Sequence, residues 1–379
     1  MSETQAPPPD RLRPGCAQGE PRGEGPSPCY AALDLGTNNC RLLIASPSGQ
    51  GFRVVEAFSR IVRLGDGLSR TGRLDPAAMD RTLAALKICA EKIQRRRALR
   101  VRAVATQACR SAENGAEFVE KVEAETGLKL RIISPREEAQ LSVAGCVTLL
   151  DRAADAALVV DVGGGSTELS WVDLRDASLD PGPRPTPPHR LPIRAWLSIP
   201  LGVVTLAERF PEASVPDAAW FRAMVDHVRE HIEPFDRADS FRPAFAEGRA
   251  HLVGTSGAIT SLAGMHLGLK RYERSRIDGL WLGRADCEAA ADHLLTLTAA
   301  GRAAEPCIGP ERADLVLAGA AILQAVQELW PCSRVRVADR GLREGLLLTL
   351  MAERNGRGSR RRRRGGGSRA ATRQIQAAE

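Results

Sequence analysis

Three short runs in this chain of 379 residues combine residue types that handle phosphate. The first is Asp34-Leu35-Gly36-Thr37-Asn38-Asn39. Asp34, at the end of an apolar run, offers an oxygen to a hard cation; Gly36 permits a tight reversal; Thr37, Asn38 and Asn39 supply side-chain and backbone donors for a phosphate. The second is Val160-Asp161-Val162-Gly163-Gly164-Gly165-Ser166-Thr167-Glu168. Gly163, Gly164 and Gly165 let backbone N–H groups approach an anion closely, Ser166 adds a hydroxyl, and Asp161 and Glu168 offer oxygens to a cation such as Mg²⁺. Each run alone also reads as a polar hairpin turn with solvated acids. Repetition argues against that: strand, Asp, any residue, Gly, polar turn, strand occurs twice, and two such hairpins facing each other across a cleft can hold a polyphosphate from both sides. The third run, Val253-Gly254-Thr255-Ser256-Gly257-Ala258, follows a strand and precedes a helix whose N-terminus favours an anion or a nucleotide's phosphate. Taken alone, Gly254, Ser256 and Gly257 are better explained by strand-to-helix packing.

The elements that must position these runs follow from periodicity. Strands at Tyr30–Leu33 and Arg41–Ala45 flank the first turn, with a third at Gly51–Phe58. Asp75-Pro76 caps and opens a helix whose apolar face is Met79, Leu83, Leu86, Ala90 and Ile93. Strands at Val101–Ala105 and Leu128–Ile133 come next. Ser134-Pro135-Arg136-Glu137 is a capping box that starts a helix to about Leu150 and puts Glu138 in its first turn. Strands Ala157–Val162 and Thr167–Val172 flank the triple glycine, the proline-rich stretch Asp176–Arg190 is a surface loop, and strands and helices interleave to Met351. This is an α/β pattern. The hairpin-like units at 30–46 and 157–173 point to an internal duplication.

Composition narrows the class. Apolar residues are 43% and charged residues 26% of the chain, and no apolar run reaches the ~18–20 residues of a membrane span. An integral membrane protein is excluded. The net charge of +7 is concentrated in a tail where eight arginines beyond residue 355 face only Glu379. The body is near neutral, so nucleic acid is not expected as a partner beyond weak attraction to the tail. Nine cysteines with no C-x-x-C pair read as reduced, metal-free thiols in the cytoplasm. Residues 1–28 and 356–379, rich in Pro, Gly or Arg, are expected to be disordered extensions.

Taken in order, several runs are similar to the exopolyphosphatase/guanosine pentaphosphate phosphohydrolase family. They are Asp34–Asn39, Ala105-Thr106-Gln107-Ala108-Cys109-Arg110, Ile132-Ile133-Ser134 with Glu137-Glu138-Ala139, Val160–Glu168, Leu201-Gly202-Val203-Val204-Thr205, Gly254–Ala258 and Leu342-Arg343-Glu344-Gly345. The resemblance implies a two-lobed actin-like ATPase fold (ribonuclease H-like, as in sugar kinases and Hsp70) with the active site between the lobes. Lobe I would be 29–142, rejoined by a C-terminal helix at about 340–355, and lobe II 143–339. It implies Glu138 as the base that activates water, Asp161 and Glu168 as catalytic acids that hold Mg²⁺ (or Mn²⁺), and Arg110 as a phosphate-binding arginine. Asp34 joins the metal set from its place in the first run. Gly36, Thr37, Asn38 and Asn39 fall in the first phosphate loop, and Gly163, Gly164, Gly165 and Ser166 in the second. The implied activity is release of terminal phosphate from inorganic polyphosphate or guanosine pentaphosphate by a homodimer.

Two departures stand out. Pro135-Arg136 replaces the small pair the family often has before Glu137-Glu138, and the long C-terminal extension of some members is not expected here. Two other functions fit the same loops: a kinase of this fold, whose base would face a substrate hydroxyl, and a non-catalytic nucleotide-binding module.

Overall fold

The computed structural model describes residues 28–49, 51–176, 179, 186–212, 216–237 and 241–365. The disorder expected for 1–27 and 366–379, and most of the 176–190 loop, lie outside these residues.

Five strands form the first sheet: β1 (Tyr30–Leu35), β2 (Asn39–Ser48), β3 (Gly51–Ile61), β4 (Arg100–Ala105) and β5 (Leu130–Ile132), in the order β3-β2-β1-β4-β5. Six form the second: β6 (Ala156–Val162), β7 (Thr167–Asp173), β8 (Ile193–Ile199), β9 (Ala250–Thr255), β10 (Trp281–Gly283) and β11 (Arg334–Ala338), in the order β10-β11-β9-β6-β7-β8. Without β10, the second sheet repeats the first strand for strand. In both, the first three strands in sequence run antiparallel and the remaining two join in parallel.

The duplication extends to single hydrogen bonds. Gly36 N donates to Asn39 O and Gly163 N donates to Ser166 O, each at 2.9 Å, so both hairpins close with the same turn. Across β1–β2, Asp34 faces Arg41; across β6–β7, Asp161 faces Glu168. The central strands are covered on both faces, which is why β1 and β6 read as near-continuous apolar runs.

Helix Pro76–Arg95 starts where the sequence places it, with Asp75 accepting from Ala78 N at 3.0 Å, and its Leu83, Leu86 and Ile93 pack in one cluster with Leu33, Leu35 and Leu42. Helix Pro135–Cys146 serves both lobes. Its Leu141 packs with Tyr30 and Leu43, whereas Val143, Ala144 and Cys146 pack with Ala157, Val159 and Val172. It crosses the final helix, Leu342–Gly365, at glycines: a Cβ on Gly145 would lie 1.9 Å from Gly341 O, and one on Gly345 would lie 2.0 Å from Leu141 O. Leu346, Leu347 and Leu350 carry that helix back onto the first lobe.

Three details differ from expectation. The helix opened by Pro135 ends at Cys146 and tightens into a 3₁₀ turn, Val147–Leu149, instead of running to Leu150. Ser134 caps it, accepting from Glu137 N at 3.2 Å, but the Glu137 carboxylate pairs with Arg131 and does not return to the cap, so the box is half made. The final helix continues ten residues past the expected end, into the first arginines of the tail, in keeping with the good helix propensity of arginine.

Candidate active site

The two hairpin turns meet. A Cβ on Gly164 would lie 3.0 Å from Thr37 Cβ and 3.1 Å from Asn38 N, and one on Gly165 would lie 2.1 Å from Gln107 Oε1. Gly164 and Gly165 are therefore needed for the close approach of the facing loop, beyond any approach to an anion, whereas a Cβ on Gly163 would meet only Ser166 O of its own turn, at 3.0 Å. Thr37 Oγ1 donates to Gln107 Oε1 at 3.0 Å, fixing the first loop to the start of helix Gln107–Ser111.

Between the lobes lies a cavity of about 300 Å³, lined by Asp34, Gly36, Thr37, Asn38 and Asn39 from one side and by Asp161, Gly163, Gly164, Gly165 and Ser166 from the other. Glu138, Ser256 and Gly257 reach the same space. With the first glycine amide of each loop used in its turn, the amides of Thr37, Asn38, Gly164 and Gly165 have no backbone acceptor among the described residues. These are the donors an anion would take.

Three predicted residues stand elsewhere. Arg110 does not line the cavity; it donates to Ile133 O at 2.8 Å and to Glu138 Oε2 at 3.1 Å. Glu168, the cross-strand neighbour of Asp161, is 2% exposed, does not line the cavity and accepts from Ser198 Oγ at 2.8 Å. Gly254 sits within β9, where the missing side chain makes room for Ile259 and Val335, so it is a packing glycine and the packing reading of the third run holds at that position.

Burial dominates the electrostatics. Glu138 is held well above the usual carboxylate range by loss of solvent and by the charge of Glu168, against the pull of Arg110. Burial pushes Asp161 up to about 6, aided by the Asp34 charge, and Glu168 up to about 7, aided by Asp161. Asp34 is raised by burial too, with Arg41 and Arg343 opposing.

Arginines missed in the sequence complete the site. Arg41, Arg312 and Arg343 line the cavity, and none makes a side-chain hydrogen bond or ion pair with the described residues. Guanidinium groups left unpaired in a cleft are ready anion ligands. Arg41 had a signal: it stands seven residues after Asp34, as Glu168 stands seven after Asp161. Arg343 lies in a run used only for its resemblance, and Arg312 sits in a connection without periodicity.

Among the described residues no three His, Cys, Asp or Glu side chains converge as a metal-ligand group. Asp34 and Asp161 both reach the cavity, and Asn38 Oδ1 is buried there without a hydrogen-bond partner. An oxygen-only set of this kind suits a hard cation that takes its other ligands from water and phosphate.

The model of the Ppx/GppA phosphatase family matches residues 43–354, most of the chain. The chain belongs to this family. One Ppx/GppA relative, "Exopolyphosphatase 2" of Mycobacterium tuberculosis, is 31% identical over 334 residues, covering 84% of this chain and 98% of the relative. "Guanosine-5'-triphosphate,3'-diphosphate pyrophosphatase" of Photobacterium profundum is 30% identical over 338 residues, but the match spans only 60% of that protein's length. The crystal structure of the Aquifex aeolicus Ppx/GppA member superposes with a TM-score of 0.70 at 26% identity, covering 86% of this chain and 99% of that one. The fold is the two-lobed, actin-like α/β architecture of that Ppx/GppA structure. No helix among the described residues is long and apolar enough to cross a membrane.

Proposed function

We propose that the protein is a Mg²⁺-dependent phosphoanhydride hydrolase that releases terminal orthophosphate from inorganic polyphosphate or guanosine pentaphosphate. The observation that carries this reading is Glu138: a buried carboxylate, held by Arg110, reaching a cavity lined by two phosphate-type loops and three unpaired arginines. Phosphoryl transfer needs little from a protein beyond positioning, charge neutralisation and an oriented nucleophile. The free amides of both loops and Arg41, Arg312 and Arg343 take the phosphate chain. Glu138, its proton affinity raised by burial, accepts the proton of the attacking water. Arg110 keeps that carboxylate aimed from outside the cavity, anchored on Ile133 O.

Asp34 and Asp161 would hold Mg²⁺ (Mn²⁺ being the alternative), supported by Glu168, the cross-strand neighbour of Asp161, and by the unpartnered amide oxygen of Asn38, which lines the same cavity. When bound, the ion supplies charge neutralisation on the transferred phosphoryl group. Relatives named as an exopolyphosphatase and as a guanosine-5'-triphosphate,3'-diphosphate pyrophosphatase support the substrate class. Residence in the cytoplasm and a homodimeric state complete the reading, the latter to be checked by light scattering.

The test is orthophosphate release by the purified chain with Mg²⁺, offered long-chain polyphosphate and guanosine pentaphosphate in parallel. Release from either, lost on chelation, is expected. ATP consumption that depends on an added hydroxyl acceptor would favour the kinase, and absence of release from either substrate would favour the kinase or the non-catalytic nucleotide-binding module.

A further inference from the structure

We propose that Arg63, Glu208 and Asp314 form an interlobe clasp that sets the spacing of the two phosphate loops from outside the cavity. They are positioning residues for the hydrolysis argued above, on which the kinetic part of this inference rests.

The clasp joins the segments that back each loop. In the first lobe, Val62 N and Arg63 N donate to Asn38 O at 2.9 and 3.1 Å, and Gly65 N donates to Thr37 O at 2.9 Å. A Cβ on Gly65 would lie 2.2 Å from Thr37 Cγ2, so this segment is moulded to the loop. Arg63 takes φ 48°, a left-handed conformation disfavoured for a residue with a Cβ. In the second lobe, Val203 N and Val204 N donate to Gly163 O and Gly164 O at 3.0 and 2.8 Å, and this stretch opens helix Val203–Arg209, which carries Glu208.

The two backings then grip each other. Arg63 donates to both carboxylate oxygens of Asp314, at 2.9 and 3.2 Å, and to Glu311 O at 3.5 Å. Gly67 N donates to Glu208 Oε1 at 2.9 Å, and Ser69 Oγ donates to its other oxygen. Asp314 lies two residues beyond Arg312, which lines the active cavity. Arg63, Glu208 and Asp314 instead line a second cavity of about 230 Å³, none of them reaching the first.

Within one rigid body an exposed ion pair adds little, since solvent screens it and side-chain entropy opposes it. Across two lobes, each bond counts toward the equilibrium between apart and together. Only together do Gly164 and Gly165 abut Thr37, and only then can both loops hold one phosphate chain. The strained backbone of Arg63 and the bidentate geometry fit a contact that selects one arrangement.

The experiment compares wild type, Asp314→Asn, Glu208→Gln, the double variant, and the swap Arg63→Asp with Asp314→Arg. Orthophosphate release from polyphosphate and small-angle X-ray scattering are both recorded, at 50 mM and 500 mM salt. Each single variant is expected to raise KM about three- to fivefold with kcat changed less, the double variant more. The double variant shows a larger radius of gyration, high salt moves wild type toward the variants, and the swap restores KM. An unchanged KM and an unchanged radius of gyration in the double variant would overturn the clasp. So would equal losses in KM and kcat that track a fall in melting temperature and resist the swap. The scattering arm needs no turnover, so a wild type that releases no phosphate yet expands on clasp removal would sink the hydrolase reading and keep the clasp.

Discussion

The Arg110 guanidinium stands 3.1 Å from Glu138 Oε2 and 2.8 Å from Ile133 O, so the carboxylate facing the cavity is aimed by a cation that is itself anchored to the backbone just ahead of the Glu138 helix. Glu138→Gln keeps the volume and removes the base. It should lower kcat by about 10²–10⁴-fold while polyphosphate affinity stays within a few-fold, checked by single-turnover kinetics beside equilibrium binding. Arg110→Lys, which keeps the charge but moves the single nitrogen that bridges Ile133 O and Glu138, should lower kcat less than Glu138→Gln.

Asp161 gives a stability prediction with a definite sign. Its folded pKa of about 6 lies above the ordinary 3.8, so between those values the folded protein holds a proton that the unfolded chain has released. Stability from this group is full at low pH and is lost as pH rises through about 6. Asp161→Asn removes the buried charge. In metal-free buffer it should melt higher than wild type above pH 7, by an amount on the order of 1–3 kcal/mol, and converge with wild type toward pH 4. Thermal unfolding from pH 4 to 8 checks this; a variant less stable than wild type at pH 8 would contradict it.

Glycine positions can be ranked by what a Cβ would meet. At Gly165 the obstacle is the end of a glutamine side chain, Gln107 Oε1 at 2.1 Å, together with Thr37 Oγ1 at 2.7 Å; at Gly145 it is backbone, Gly341 O at 1.9 Å. Gly165→Ala should therefore fold but lose activity, with part restored by adding Gln107→Ala. Gly145→Ala should cost about 1–3 kcal/mol of stability, because its helix must separate from the backbone that leads into the final helix. Chemical denaturation and activity measured on the three variants separate these outcomes.

The unpaired arginines should act on binding. Replacing Arg41, Arg312 or Arg343 by Ala is expected to raise KM for polyphosphate about tenfold or more, with a flatter dependence of KM on salt. Steady-state kinetics across a salt series reads both. A variant with unchanged KM marks a guanidinium that never meets the substrate.

Much of this site is legible in the sequence because it is built twice. Asp34 and Asp161, each followed by a glycine turn, occupy matching positions in matching sheets, and local signals such as Asp75-Pro76 and Ser134-Pro135 fixed the helix starts correctly. What escaped depends on partners distant in the chain. The crowding of Gly164 and Gly165 by Thr37 and Gln107 exists only once the lobes meet. Glu137 completes a capping box in sequence, yet Arg131, brought alongside by β5, captures its carboxylate. Gly254 shares a motif with Ser256 and Gly257 but is spent on Ile259, which the following helix folds back against it. Arg312 has no local pattern at all and joins the site through the fold alone.

The central claim is that Glu138 directs water onto a terminal phosphoanhydride. The most direct test is a single turnover of polyphosphate in ¹⁸O-labelled water, with wild type and Glu138→Gln side by side and the released orthophosphate read by mass spectrometry. The account predicts one solvent oxygen in each orthophosphate released by wild type and a rate at least about a hundredfold slower in the variant, with substrate still bound. Orthophosphate free of label, or a variant that turns over at the wild-type rate, would contradict it.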